Sequence, residues 1–185
     1  MQIIDLATAD ESLCRQAAQI LHEEFNQAKW GYSWPTFDEA EEEVEDLCEE
    51  GHICRAALND QAEIIGWIGG LPEYDGNVWE LHPLVVREDQ RGKGIGQALV
   101  LDLEDRVRER GGLTVMLGSD DQDHMTSLGE VDLYENPWQK IATIQNYKNH
   151  PYAFYMKLGY VIIGVVPDAN GIGKPDIIMG KRVAR

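Results

Sequence analysis

The chain has 185 residues, 43% of them hydrophobic, and its 33 acidic and 16 basic side chains give a formal net charge of −17. This size and composition predict one globular domain, residues 1–185, and the charge disfavours binding to nucleic acid or to anionic membranes while attracting cationic partners. No apolar run is long enough for a membrane span and no signal-peptide pattern is present, so we expect a cytoplasmic protein.

The cysteines predict neither a metal site nor a disulfide framework. Cys14, Cys48 and Cys54 lack the spacing of metal ligands, and their number is odd. We therefore expect buried thiols. The polar run 119–124 contains three Asp and one His, but its spacing fits no calcium loop or zinc motif, so no metal is expected.

The first predicted elements are a strand at 3–6 and a helix that begins after Asp10 or Ser12 and ends near Asn26. Residues 29–35 are aromatic but interrupted by Gly and Pro, which predicts a loop. Either the rings of this loop pack onto the core or they form a wall over a ligand site, in which case Trp30 and Trp34 contact the substrate.

A second helix is predicted from a capping box. Thr36 and Glu39 have the required spacing, and the apolar positions that follow continue the helix to about residue 50. This helix is either an ordinary solvated surface or an electrostatic funnel for a polycation. Its outer face carries nine carboxylates and no basic residue: Asp38, Glu39, Glu41, Glu42, Glu43, Glu45, Asp46, Glu49 and Glu50.

Three strands follow. Residues 53–58 and 63–71 are strands joined by a hairpin at 59–61, and residues 72–77 form a turn that leads to a strand at 78–86. Pro83 interrupts this last strand, because proline removes a ladder donor and favours a bulge or a splay. A splayed strand exposes backbone groups that a ligand can use.

The most informative stretch is 84–99, which contains an apolar strand, a polar connection, a glycine-rich turn and the start of a helix. Glycines at 92, 94 and 96 allow several backbone N–H groups to converge on one anion, such as a phosphate, where the helix begins. A plain tight turn is the alternative. The Lys-Ser or Lys-Thr of a phosphate loop is missing, and the spacing is not that of a dinucleotide fold.

Helices and strands are predicted for the rest of the chain. They are the rest of this helix to about Arg110, a strand at 113–118, a helix at 136–149, a short helix within 150–160 that ends at Gly159, and strands at 161–166 and 177–183.

Two motifs resemble those of the GNAT acetyltransferase superfamily. Arg91, Gly94 and Gly96 match its acetyl-CoA signature Arg/Gln-x-x-Gly-x-Gly/Ala, and the run Phe154-Tyr155-x-Lys157-x-Gly159-Tyr160 matches its second motif. Segments from about residue 66 to 181 resemble the aminoglycoside 6′-N-acetyltransferases of the chromosomal enterococcal type. The resemblance implies an α/β (α+β) GNAT fold, with a mixed central sheet of about seven strands that is flanked by helices and splayed at the acetyl-CoA site.

The same resemblance implies the co-substrate and the site. Acetyl-CoA would be bound by backbone and charged groups at Leu84, Val85, Val86, Arg91, Gly92, Lys93, Gly94, Ile95, Gly96 and Tyr155. The Leu84 N–H would stabilise the oxyanion, and Tyr155 would protonate the CoA thiolate. The resemblance does not identify the base: Glu80 and Asp123 are both candidates, and Glu80 is preferred because it lies nearer the thioester. The candidate substrate-binding residues are Trp30, Trp34, Tyr74, Glu80 and Asp123, whereas His82 is either a proton relay or structural. A homodimer is also implied.

Three functions are compatible with the sequence. The first is acetyl transfer to the 6′-amino group of aminoglycoside antibiotics, which confers resistance. The second is acetyl transfer to another cationic amine, such as a polyamine or a basic peptide, because the acidic helix would serve either substrate. The third is an acetyl-CoA-binding sensor without turnover.

Overall fold

A computed structural model describes residues 1–26 and 33–185. In this part of the chain there are seven strands and five α-helices: β1 (Gln2–Asp5), α1 (Glu11–Phe25), α2 (Phe37–Leu47), β2 (Ile53–Leu58), β3 (Ile64–Glu73), β4 (Val78–Val86), α3 (Ile95–Glu109), β5 (Thr114–Asp120), α4 (Pro137–Ala142), α5 (Tyr152–Lys157), β6 (Val161–Val166) and β7 (Asp176–Arg182). The chain forms two compact units, residues 1–115 with 183–185, and residues 116–182. The expectation of a single domain stays a prediction.

The first unit contains four strands in the order β1-β2-β3-β4, each antiparallel to its neighbour. Ideal Cβ positions at Gly69 and Gly70 point towards Leu47 of α2 and Leu103 of α3, respectively. Because successive strand residues face opposite sides, α2 and α3 cover opposite faces of these strands. The indole N–H of Trp67, on β3, donates to the carbonyl of Ala17 on α1 at 2.9 Å and fixes that helix to the sheet.

The predicted starts of helices α1 and α2 are confirmed. The Asp10 carboxylate accepts from the Leu13 N–H at 3.0 Å, and Thr36 and Glu39 form the expected reciprocal capping box. Helix α2 ends at Leu47, however, about three residues earlier than predicted. The carboxylates that follow would meet the negative end of the helix dipole without a basic residue in the last turn, which disfavours another turn.

The bulge predicted at Pro83 is confirmed. Ile68 pairs with Leu84 and Gly70 with Leu81, so Gly69 alone faces the two residues His82 and Pro83. A Cβ atom at position 69 would lie 2.3 Å from the His82 carbonyl oxygen and 2.8 Å from Leu47. Only glycine fits this close backbone approach, which sets the register of the following residues of β4.

The second unit contains most of β5 together with β7 and β6, and β6 is antiparallel to β7. The prediction of one helix over 136–149 is wrong, because α4 covers only residues 137–142. Asn146 instead pairs with Thr126 in an isolated bridge, and its side chain bonds the N–H and C=O of His150 at 2.8 and 3.0 Å. These side-chain bonds compete with helical hydrogen bonds.

Among the described residues, no helix combines the length and the apolar character needed to cross a bilayer.

We expect Gly69→Ala to lower the free energy of unfolding by about 2 kcal/mol, because the added methyl group must displace backbone as well as Leu47. Urea unfolding of the purified variant measures this change. Gly164→Ala is the matched control, since a Cβ on this β6 glycine meets no atom within 4 Å. Its expected change is within about 0.5 kcal/mol, and equal effects of the two variants would contradict the close-approach explanation.

Candidate active site

The glycine-rich turn at the start of α3 is open. Gly92 and Gly94 have φ values of +77° and +84°, and no atom lies within 4 Å of a Cβ built at either position. Gly94 is the N-cap and offers no side chain to the helix. Within residues 1–26 and 33–185, the backbone N–H groups of residues 92–97 have no hydrogen-bond acceptor in the protein. Free N–H groups at a helix N-terminus favour a phosphate.

Arg91 holds this turn in place. Its guanidinium pairs with the Glu24 carboxylate of α1 and donates from Nε to the Val86 carbonyl at 3.0 Å. The second oxygen of Glu24 accepts from the Glu88 N–H at 2.8 Å. Arg91 therefore connects the turn to β4 and α1, and its charge is balanced by Glu24. Lys93 lies on the exposed side of the turn, where its Nζ donates to Gln90 at 3.0 Å.

Glu24 was missed by the sequence interpretation. It is 9% exposed and lies on the buried face of α1. Its spacing from Ala17 and Leu21 is that of a core position, which is the signal that could have identified it. A buried carboxylate at such a position requires a charged or hydrogen-bonded partner.

Along strand β4, Glu80, His82, Leu84 and Val86 are half-buried, while the residues between them are buried. The bulge reverses the alternation of side chains along the strand. Ile68 and Gly70 share one face of β3 and pair with Leu84 and Leu81, so Leu84 lies on the face covered by α3. Glu80, adjacent to Leu81, lies on the opposite face. The side chains of Val85 and Ile95 are 3% and 5% exposed, so only their backbone groups can contact a ligand.

A second missed residue, Glu43 of α2, lies beside His82 of β4. One carboxylate oxygen accepts from the Trp34 indole N–H at 3.2 Å, and the other lies 3.6 Å from His82 Nε2. The Trp34 and His82 rings are 5.8 Å apart, and Phe25 packs edge-on against Trp34 at 4.9 Å. Glu43 is thus directed towards His82 on β4.

Other carboxylates of α2 also have structural partners. Glu39 closes the capping box, and Glu41 pairs with Arg15 of α1 at 3.4 Å. The acidic face is therefore more than a uniform solvated surface, although its use as a funnel for a polycation stays a prediction.

The aromatic substrate candidates differ in exposure. Trp34 is 8% exposed and belongs to the core of the first unit. Its ring therefore contacts Glu43 and His82 instead of facing solvent. Tyr74 is 72% exposed in the turn between β3 and β4. Trp30 lies outside the described residues.

In the second unit, the loop after β5 is organised by Asp121, which is fully buried. Its carboxylate accepts from the N–H groups of Met125 and Thr126 at 2.5 and 2.9 Å and from the Thr126 hydroxyl at 2.7 Å. The substrate candidate Asp123 is exposed on this loop, and its carbonyl accepts from Lys148 at 2.8 Å. Asp121 therefore holds the loop, while the Asp123 side chain remains open to a ligand.

His150 joins the same loop to α5. The ring is 1% exposed; Nδ1 accepts from the Tyr152 N–H at 3.2 Å, and Nε2 lies 3.0 Å from the Asp120 carbonyl. An acceptor at Nδ1 and a donor at Nε2 define a neutral imidazole. Burial lowers the pKa of His150, in agreement with this neutral form.

Tyr155 of α5 is 8% exposed, and its ring packs edge-on against Phe154 and Tyr160 at 5.0 and 5.7 Å. Burial raises the pKa of its phenol well above the ordinary value of 10.0. The hydroxyl has no hydrogen-bond partner among the described residues, so it is protonated at neutral pH and available as a donor.

The open turn before α3 and the bulged strand β4 are arranged as the resemblance to GNAT acetyltransferases implies, and comparison with known proteins agrees. The acetyltransferase (GNAT) family model matches residues 16–136, and the chain belongs to this family. The expected GNAT fold and family membership are thereby confirmed. No curated protein sequence gives a match.

Solved structures similar to this chain include three aminoglycoside acetyltransferases. An aminoglycoside 6′-N-acetyltransferase complexed with coenzyme A is 44% identical, with a TM-score of 0.91 and coverage of 100% of this chain and 98% of that one. The corresponding enzyme from Enterococcus faecium is 43% identical, with a TM-score of 0.90 and the same coverage. An aminoglycoside 6′-acetyltransferase type Ii is 38% identical, with a TM-score of 0.76 over 100% and 99% of the two chains.

Proposed function

We propose that this chain is an aminoglycoside 6′-N-acetyltransferase that uses acetyl-CoA and confers resistance to aminoglycosides bearing a 6′-amino group. The observation that carries the proposal is the similarity, at 44% identity over the whole chain, to an aminoglycoside 6′-N-acetyltransferase complexed with coenzyme A. The acceptor-free N–H groups of the turn before α3 provide the independent chemical support.

In this proposal the backbone N–H groups of Gly92, Lys93, Gly94, Ile95 and Gly96 bind the CoA pyrophosphate. Lys93 adds positive charge from the exposed side of the turn, whereas Arg91 acts mainly by holding the turn through Glu24. Leu84, Val85 and Val86 offer backbone groups to the pantetheine arm. The Leu84 N–H stabilises the oxyanion that forms on the thioester carbonyl.

The amine must lose a proton before it attacks, but a nearby carboxylate favours the protonated ammonium form. The carboxylate that captures the amine must therefore also accept its proton, directly or through water. Glu80 is assigned this role because it lies on the same strand as Leu84, four residues before it. His82 is the alternative proton relay, and the Glu43 carboxylate, 3.6 Å from its Nε2, holds the imidazole in place.

The CoA thiolate needs a donor, and Tyr155 is assigned to it. Because burial raises the pKa of Tyr155 above 10.0, a full proton transfer to a thiolate is less favourable than from an exposed tyrosine. The phenol therefore acts chiefly by donating a hydrogen bond to the departing sulfur, and it keeps its proton throughout the working pH range.

The proposed substrate is polycationic, which suits a chain with a net charge of −17. Glu80, Asp123 and the exposed Tyr74 are the proposed contacts, together with Trp30; Trp34 contributes through its contacts with Glu43 and His82.

A homodimer is part of the proposal, and exposed apolar residues on β6 supply a surface for it: Val161, Ile163 and Val166 are 59%, 49% and 46% exposed. The reaction consumes acetyl-CoA, an intracellular metabolite, so we also propose a cytoplasmic location.

Thiol release from acetyl-CoA tests the function directly. We expect the purified protein to release CoA rapidly with an aminoglycoside bearing a 6′-amino group, and not with the matched aminoglycoside that bears a 6′-hydroxyl, because the hydroxyl analogue lacks the acetylated nitrogen. Spermidine and a basic peptide serve as competing amines in the same assay.

Release with spermidine or the peptide alone would overturn the aminoglycoside assignment and leave the acetyltransferase family intact. Tight CoA binding without release for any amine would indicate a sensor instead of an enzyme.

For Tyr155→Phe we expect kcat to fall about 10²-fold with little change in the KM for acetyl-CoA, since the phenol acts on charge that develops in the transition state. Wild-type activity should show no alkaline loss due to Tyr155 up to about pH 10, because its pKa is raised. Tyr152→Phe, on the same helix, is the control and should retain activity. Equal losses in both variants would point to packing in place of hydrogen-bond donation.

A further inference from the structure

A buried histidine lies between two candidate site elements of the second unit. His150 directly precedes the N-cap of α5, the helix that carries Tyr155. Its ring also contacts the last residue of β5, three positions before Asp123. His150 is 1% exposed, and neither of its ring nitrogens has a part in the acetyl transfer proposed above.

The first ring nitrogen completes the start of α5. Pro151 is the N-cap of this helix, and a proline side chain has no oxygen that could accept a hydrogen bond from the first turn. His150 Nδ1 supplies the acceptor and binds the Tyr152 N–H at 3.2 Å. The Tyr152 ring lies against the imidazole, with 5.6 Å between the ring centroids. The imidazole therefore fixes the turn that leads to Tyr155.

The second ring nitrogen holds the end of β5. A neutral imidazole that accepts at Nδ1 carries its proton on Nε2, so Nε2 donates to the Asp120 carbonyl at 3.0 Å. Asp120 is the last residue of β5, and the loop that follows it is held by Asp121 and carries Asp123. The Nε2 contact therefore fixes the point at which this loop begins.

The backbone of His150 is itself fixed. The Asn146 side chain accepts from the His150 N–H at 2.8 Å and donates to its carbonyl at 3.0 Å. The segment before His150 is bound to the same loop, since the Tyr147 N–H donates to the Met125 carbonyl at 2.8 Å. A buried side chain on a fixed backbone determines the position of its partners, whereas a mobile one would adjust to them.

We propose that His150 is a positioning residue for acetyl transfer, in which Nδ1 sets the helix that carries Tyr155 and Nε2 sets the loop that carries Asp123. This role rests on the proposed function, which assigns the CoA thiolate to Tyr155 and the cationic amine to Asp123. Loss of the Nδ1 contact should lower kcat, because the hydrogen bond to the departing sulfur acts in the transition state. Loss of the Nε2 contact should raise the KM for the amine, because a substrate contact is displaced.

Two substitutions each keep one of these contacts. The side-chain oxygen of asparagine is bonded to Cγ, as Nδ1 is, so His150→Asn keeps the acceptor for Tyr152 and loses the donor to Asp120. The side-chain nitrogen of glutamine is two bonds from Cγ, as Nε2 is, so His150→Gln keeps the donor and loses the acceptor.

Steady-state kinetics of the full-length variants test the two roles. We expect His150→Asn to raise the KM for the amine about 10-fold with kcat within about twofold of wild type, and His150→Gln to lower kcat about 10-fold with KM within about twofold. His52→Gln is the matched control, because His52 bonds the Asp46 carbonyl at 2.7 Å in the first unit, and both constants should stay unchanged. Equal losses in the two His150 variants, or no loss in either, would overturn the proposal.

A measurement on the wild-type protein keeps the test valid if a variant does not fold, which circular dichroism detects. Nitrogen NMR spectra of the ring-labelled protein should show His150 neutral, with its proton on Nε2. A proton on Nδ1 would remove the acceptor for Tyr152 and would overturn the proposal by itself.

The kinetic assay uses whichever amine the wild-type protein acetylates, so failure of the aminoglycoside assignment leaves this test intact. Absence of acetylation with every amine would overturn the proposed function instead. Backbone amide spectra would then test the two contacts alone: His150→Asn should shift the Asp123 resonance and leave that of Tyr155, and His150→Gln should do the reverse. Equal shifts of both resonances in both variants would overturn the separate roles of the two nitrogens.

Discussion

The candidate site depends most on backbone N–H groups that have no acceptor in the part of the chain that the structure describes. Within the described residues, the amides of residues 92–97 surround an open turn at the positive end of α3. A turn of this shape needs left-handed backbone at Gly92 and Gly94, and a fixed attachment to its neighbours. The attachment is the Arg91 guanidinium, bound to Glu24 and to the Val86 carbonyl. An anion bound there, as proposed, would meet an arrangement that is already in place.

Two buried carboxylates hold the loops that carry candidate site residues. Glu24 fixes the turn in the first unit, and Asp121 fixes the loop after β5 in the second by accepting three hydrogen bonds. Charge-assisted bonds of this kind are strong where water is excluded. Each of these acids leaves a neighbouring group, Lys93 or Asp123, open to solvent for contact with a ligand.

The sequence predicts what local chemistry determines. The Asp10 cap, the Thr36–Glu39 capping box, the bulge at Pro83 and the turn before α3 each follow from a few adjacent residues. The helix predicted over 136–149 does not form in full, because the Asn146 side chain bonds the backbone of His150 in place of helical hydrogen bonds. The spacing of apolar residues cannot predict such a side-chain bond.

The sequence interpretation mainly missed contacts between residues that are far apart in the sequence. Arg91 and Glu24 are 67 positions apart in the sequence. Glu43 contacts His82 and Trp34, which lie in separate segments of the chain. The candidate site residues came from local motifs, whereas Glu24 and Glu43, which contact them, were identified only in the folded chain.

The central claim is that the open amides before α3 bind the CoA pyrophosphate. Backbone amide spectra of the isotope-labelled protein, recorded during titration with CoA, test it most directly. The account predicts that the amide resonances of Gly92, Gly94, Ile95 and Gly96 move in proportion to bound CoA and exchange more slowly with solvent. Saturable CoA binding, verified by calorimetry, with these four amides unchanged would contradict it.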